Sequence, residues 1–148
     1  MSTHKASIEI LLVDDDLDDR NTFRDALAEL KIATNLTMLE DGRNLLDYLE
    51  KNKKPDILFL DLNMPYKTGV ECLIEIREHS RYNDLSIAIY STSSTDKDIE
   101  ETFIHGANVY IKKPNNFSSL KRVLGEVVNM NFQFQNSGLN KDTFLMNI

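Results

Sequence analysis

Runs of apolar residues alternate along this chain with stretches in which apolar residues recur every three or four positions. Ile8-Glu9-Ile10-Leu11-Leu12-Val13 is the first run, and Asp18 to Leu30 follows with Phe23, Leu27 and Leu30 on one helical face. Residues 36–39 predict a short strand. Gly42 to Glu50 predicts a helix with Leu45, Leu46 and Leu49 inward. After Pro55, residues 57–60 read as a strand, 63–69 as a Pro- and Gly-broken loop, and Val70 to His79 as a helix. Residues 86–90 form the next strand. Ser93, Ser94 and Thr95 offer N-caps for a helix from Asp96 to His105, with Gly106 as its stop. Residues 109–112 are the fifth strand, and Phe117 to Asn129 the fifth helix, carrying Leu120, Val123, Leu124 and Val127. Five strand–helix units predict an α/β fold, a doubly wound parallel sheet with right-handed crossovers. The continuous apolar character of 8–13 and 57–60 fits strands covered on both faces.

Met130 to Ile148 falls outside this alternation. Its Phe132, Phe134, Phe144, Leu145 and Met146 are expected to cover a surface of the domain or of a second copy. The expectation is one domain over residues 1–130 and an extension over 131–148, too short for an output domain. The net charge is −7, which argues against a nucleic-acid partner, since phosphate neutralisation needs a basic face. No stretch reaches the roughly 18 apolar residues of a membrane span, and residues 1–7 lack the apolar segment of a signal peptide. A cytoplasmic protein with no membrane partner is expected. The single cysteine, Cys72, excludes an internal disulfide or a multi-cysteine zinc site and reads as a small packing residue.

The chemistry lies where the strands end. The first runs into Asp14-Asp15-Asp16, the second of the central runs ends at Asp61, the next at Ser91-Thr92, and the last at Lys113-Pro114. In a parallel sheet these ends share one edge, where open α/β sheets bind ligands. Neighbouring carboxylates repel, and Mg²⁺ removes that repulsion while keeping waters and bridging to phosphate. Asp14, Asp15 and Asp61 suit such a site. Asp61 suits equally the role of a nucleophile that forms an aspartyl-phosphate. Lys113 supplies a point charge and Ser91 a hydroxyl. Each residue alone has a bland reading, because Asp ends strands and caps helices, and one of Asp14–Asp16 is expected to be only an N-cap. The force is in the conjunction.

These motifs are Leu12-Val13-Asp14-Asp15-Asp16, Leu60-Asp61-Leu62-Asn63-Met64-Pro65 with Gly69, Ser91-Thr92, and Gly106-Ala107-Asn108-Val109-Tyr110-Ile111-Lys112-Lys113-Pro114. Over about residues 7–130 they resemble the receiver domain of two-component response regulators. The resemblance implies a flavodoxin-like fold with strand order 2-1-3-4-5. It implies Asp61 as phosphoacceptor, and Mg²⁺ held by Asp14, Asp15, Asp61 and the backbone carbonyl of Asn63. It makes Lys113 and Ser91 catalytic, Ser91 and Tyr110 the switch pair, and Asn63 and Ser93 the residues that tune hydrolysis. A cis bond before Pro114 is also implied, an isomer X–Pro bonds reach at modest cost. The implied protein is no classical enzyme but a phosphoacceptor with self-catalysed phosphotransfer and autodephosphorylation. Its donor is a sensor histidine kinase, and its output is contact with a downstream protein target. The fourth helix, fifth strand and fifth helix form the face through which a homodimer would assemble. The continued acidic run Asp18-Asp19-Arg20 is similar to stand-alone receivers, including those that serve bacterial phytochromes.

Three other readings compete. A haloacid-dehalogenase-type phosphatase would use Asp14 as nucleophile and Asp16 as acid, but it needs further late acids, and Asp142 is the only one after Glu126. A calcium loop through Asp14, Asp16 and Asp18 lacks its turn glycine, since Asp19 holds that place. A binding module without phosphate chemistry is disfavoured by the intact residue set.

Overall fold

The computed structural model describes residues 7–136 and 145–146, apart from the side chains of 131–136 and Met146. In chain order the elements are β1 (Ile8–Val13), α1 (Leu17–Ala28), β2 (Thr34–Leu39), α2 (Leu45–Lys51), β3 (Ile57–Leu60), α3 (Gly69–Arg77), β4 (Ser86–Ser91), α4 (Asp96–Ile104), β5 (Val109–Lys112), α5 (Phe117–Asn136) and β6 (Leu145–Met146). Short 3₁₀ turns at Gly42–Asn44 and Ser80–Tyr82 precede α2 and follow α3. The first five strands are parallel in the order 2-1-3-4-5, as expected. A sixth strand was not expected. β6 pairs parallel to β5, Tyr110 opposite Leu145 and Ile111 opposite Met146. α5 also continues past Asn129 to Asn136. Phe144 and the side chains of Phe132 and Phe134 lie outside the described residues.

The apolar runs are continuous because each central strand buries both faces. Along β1, Leu11 and Val13 point into a layer with Leu45, Leu49, Leu73 and Ile76 of α2 and α3. Ile10 and Leu12 point the other way, against Phe23 and Leu27 of α1 and Val123, Leu124 and Val127 of α5. The alternation repeats at Leu58 and Leu60 against Ile57 and Phe59, and at Ile87 and Ile89 against Ala88 and Tyr90. The Phe23 ring meets Phe59 and Tyr90 edge to face at 5.0 and 5.5 Å between centroids. β2, at one edge, alternates half-buried and exposed positions over most of its length, from Thr34 to Leu36 and Met38. Cys72 is buried in the first layer, its thiol 3.5 Å from the Gly42 carbonyl.

Polar side chains fix the helix starts. Asp16 caps α1 by accepting from the Asp19 N–H. Thr68 and Glu71 form a reciprocal capping box on α3. Of the three candidates before α4, Thr95 is the cap. The Asn116 side chain accepts from Ser119 N–H at the start of α5. Gly106 ends α4 with φ +95°. Its N–H reaches the Phe103 carbonyl and the Ala107 N–H reaches Thr102, the paired closure that glycine permits there.

Far from the polar edge, Arg77 ties α3 to the loops that feed the sheet. Its guanidinium donates to the carbonyls of Gly106 (3.0 Å), Tyr82 (2.6 Å) and Leu85 (2.9 Å) and to Asn108 Oδ1 (2.9 Å). Asn108 Oδ1 also accepts from Ile87 N–H at 2.8 Å. A planar fork meets four acceptors here, and an ammonium cannot span them. Arg77→Ala is expected to lower unfolding free energy by about 2–4 kcal/mol, because partly buried acceptors lose their donor. Arg77→Lys should recover less than half of that, read by urea denaturation.

Candidate functional site

The register of the sheet brings the expected residues together. Val13, Leu60, Ile89 and Tyr110 lie abreast across β1, β3, β4 and β5. The next residue on β1 is Asp14 and on β3 is Asp61, so two carboxylates emerge side by side. Hydrogen bonds carry the ladder past the strand ends: Asp14 N–H to Leu39 O (3.1 Å), Asp61 N–H to Val13 O (3.0 Å), Lys113 N–H to Ser91 O (2.7 Å). The Lys113–Pro114 bond is trans, since no cis peptide occurs among the described residues. The expected cis isomer is therefore not adopted; trans is the lower form of an X–Pro bond by about 0.5–1 kcal/mol.

Asp14 and Asp61 are buried and Asp15 is exposed. One oxygen from each lies within 4.8 Å of the others. Asp14 Oδ1 accepts from Asp16 N–H at 3.0 Å, and Asp61 Oδ1 from Asn63 N–H at 3.4 Å. Asp16 turns away to cap α1, so the acid partner of the haloacid-dehalogenase-type reading is occupied elsewhere. Lys113 Nζ enters from the end of β5, 2.9 Å from Asp14 Oδ2 and 3.7 Å from Asp61 Oδ2. The Tyr90 ring lies below it, 5.1 Å from the ammonium to the centroid. Ser91 is fully buried, and its Oγ accepts from Ser93 N–H at 3.1 Å. Tyr110 is buried as well, with its hydroxyl donating to the Ser93 carbonyl at 2.8 Å. Its ring thus already lies inward.

The contacts of two residues escaped the sequence reading. Asp19 Oδ2 is 2.8 Å from Lys113 Nζ. Arg20 donates to the Asp14 carbonyl at 2.8 Å and pairs with Glu40. Asp19 stands in the first turn of α1, where acids complement the helix dipole anyway. Nothing in its type or place distinguished it from Asp18.

Charge at this edge is unbalanced. Burial raises the Asp61 carboxyl from an ordinary 3.8 to about 6; Lys113 opposes the rise and Asp14 adds to it. Burial also raises Asp14, against Lys113 and the Asp16 N–H. Burial works against the charged form of Lys113, but bonds to Asp19 and Asp14 outweigh it and its affinity for the proton is raised. Three oxygen donors from crowded carboxylates, two of them resisting ionisation, fit a hard divalent cation.

The β3–α3 loop is held close to Asp61. Gly69 N–H donates to Leu62 O at 2.9 Å. A Cβ on Gly69 would stand 2.2 Å from the Asp61 carbonyl oxygen and 2.7 Å from Leu62 Cα. At the loop's rim, Tyr66 has φ +68° and is 78% exposed, with the Arg43 guanidinium 3.9 Å above its ring.

Comparison with known proteins gives a family and similar structures. The family model described as the response regulator receiver domain matches residues 10–124. The probable methanogenesis regulatory protein FilR2 of Methanothrix harundinacea is 30% identical over 80% of this chain and 79% of its own. Among solved structures, the phosphorylated cyanobacterial phytochrome response regulator RcpA superposes with a TM-score of 0.78 at 28% identity, over 86% of this chain and 95% of its own. The Mn²⁺-bound form of response regulator Rcp1 gives 0.74 at 26% identity, over 90% and 99%.

Two outcomes follow from the site as built. Gly69→Ala is expected to cost about 3 kcal/mol, the upper end of overpacking penalties, because backbone rather than a flexible side chain must yield. Equilibrium unfolding measures it. The Asp61 proton is held more tightly in the folded state than in the unfolded one. That contribution is present in full below pH 4 and is lost as pH rises through about 6. Asp61→Asn removes the loss. In metal-free buffer the variant should gain on wild type between pH 4 and 7, by up to about 3 kcal/mol, read from paired denaturation curves.

Proposed function

Because the chain belongs to the response regulator receiver domain family, we propose that it takes a phosphoryl group from a sensor histidine kinase onto Asp61 and signals by protein contact. The observation that carries this reading is the meeting of Asp14, Asp15 and Asp61 within 4.8 Å beside the Lys113 ammonium. One Asp61 oxygen forms the new O–P bond as the donor's N–P bond breaks, and the histidine keeps the electron pair. Positioning dominates such transfers. The raised pKa of Asp61 weakens it as a nucleophile in the bare site, and Lys113 favours the anion that attacks. Mg²⁺ bound by Asp14, Asp15, Asp61 and the Asn63 carbonyl would offset charge on the phosphoryl oxygens. The donor set supports a divalent cation, and the Mn²⁺-bound form of Rcp1 supports one at a relative's site.

The buried Ser91 hydroxyl is the group that meets the phosphoryl oxygens from β4. Ser93 reports the movement, because its N–H holds Ser91 and its carbonyl holds Tyr110. Tyr110 passes the change to the face of α4, β5 and α5, a local charge event biasing a packed element. Water attack on phosphorus resets the site, with Asn63 and Ser93 setting its rate. These two steps are the only catalysis in the reading. On the α4–β5–α5 face a groove of about 690 Å³ is lined in part by Ile99, Lys112, Pro114, Arg122 and Leu145. A downstream target or a second copy would dock there. We place the protein in the cytoplasm, with residues 131–148 as an extension of the receiver domain. No helix among the described residues is long and apolar enough to cross a membrane.

Incubation with Mg²⁺ and acetyl phosphate, followed by intact mass, tests the reading. Wild type should gain a phosphoryl group and Asp61→Asn should not. An unlabelled wild type beside a labelled control receiver, or a label that survives Asp61→Asn, would overturn it.

A further inference from the structure

The geometry points to Asp19 as a positioning residue that competes with a phosphoryl group on Asp61 for the Lys113 ammonium. The inference rests on the receiver reading above, but its carrier is a contact that reading does not use. Lys113 Nζ lies 2.8 Å from Asp19 Oδ2 and 2.9 Å from Asp14 Oδ2, both hydrogen-bond distances. Asp61 Oδ2, at 3.7 Å, is beyond that range. The ammonium is therefore committed to the α1 side of the site and stands off the nucleophile.

Asp19 is built to hold it there. Its own N–H donates to Asp16 Oδ1 at 2.8 Å, which fixes the first turn of α1 over the strand ends. Asp19 is not one of the three carboxylates whose oxygens cluster within 4.8 Å, so it stands apart from the cation's donor set. The two partners also differ in exposure: the Asp19 side chain is 40% exposed and that of Lys113 is 9%. Water can replace the ammonium at Asp19, but not the carboxylates at Lys113.

A phosphoryl group brings nearly two negative charges to Asp61. To bind it, Lys113 must lengthen or break the bond to Asp19. That exchange opposes loading and raises the threshold at which the site fills. With Asp19 neutral, Asp14 alone holds the ammonium off Asp61, the approach to Asp61 is easier beforehand, and one repelling charge is gone. A merely structural Asp19 would alter stability and leave the affinity for a phosphoryl mimic unchanged.

Asp19→Asn keeps the shape and, at a half-exposed position, is expected to fold. Beryllofluoride titration at saturating Mg²⁺ supplies the test. The five tyrosines report binding, with no tryptophan to mask them. Asp19→Asn should bind about three- to tenfold more tightly than wild type, the scale of one partly exposed ion pair. Asp19→Glu, which keeps the charge, should stay within about twofold of wild type on the same scale. A crystal structure of metal-free Asp19→Asn should show Lys113 Nζ within hydrogen-bond reach of Asp61. Equal or weaker binding by Asp19→Asn, when wild type binds, overturns the role of Asp19 alone. If wild type neither binds beryllofluoride nor accepts phosphoryl from acetyl phosphate, the receiver reading falls with it.

Discussion

Two carboxylates buried shoulder to shoulder require a cation, and the rest of the site is arranged around that requirement. Asp14 and Asp61 follow strand residues paired in register, so the sheet gives them no freedom to separate. Lys113 answers from the end of β5, and burial on that scale makes its charge effective rather than screened. Its placement depends on the Lys113 N–H bond to the Ser91 carbonyl, which ties the cation to the strand carrying the hydroxyl. The carboxylates, the hydroxyl and the ammonium are thus one mechanical unit.

That unit rests on strands buried from both sides. Interdigitation at Leu11, Val13, Leu58 and Leu60 on one face, and Ile10, Leu12, Ile57 and Phe59 on the other, fixes strand height and register together. A slip of one residue would exchange the two layers and move Asp14 out of line with Asp61. The packing of the core and the spacing of the carboxylates are set by the same contacts.

The central strands were legible because burial on both faces leaves an unbroken apolar run. A cap among Asp14–Asp16 and Gly106 as a stop were legible because backbone geometry asks for those residue types; that the cap is Asp16 came from the fold. Other features left no trace in residue type. The first turn after Asp41 is 3₁₀, and α2 starts at Leu45 rather than Gly42. β2 begins at Thr34, two residues early, because hydrogen bonds to β1 extend it where its side chains are polar or exposed. β6 has two residues, too few for any period. In the site, Asp14, Asp15, Asp61, Ser91 and Lys113 could be named because each ends or borders a run, whereas Tyr110, inside the last run, was marked only by the resemblance. Asp19 could not, since only the folded position of Lys113 distinguishes it from Asp18.

Gly69 sets a mechanical asymmetry in the site. Its backbone rests against the Asp61 carbonyl so closely that no Cβ would fit, and the Thr68–Glu71 capping box locks the helix that follows. The wall of the site on the α3 side is therefore backbone against backbone, with little room to yield. The opposite wall, from Ser91 to Ser93 and Tyr110, is joined by hydrogen bonds that involve side chains. The side that faces α4 is thus softer than the side that faces α3.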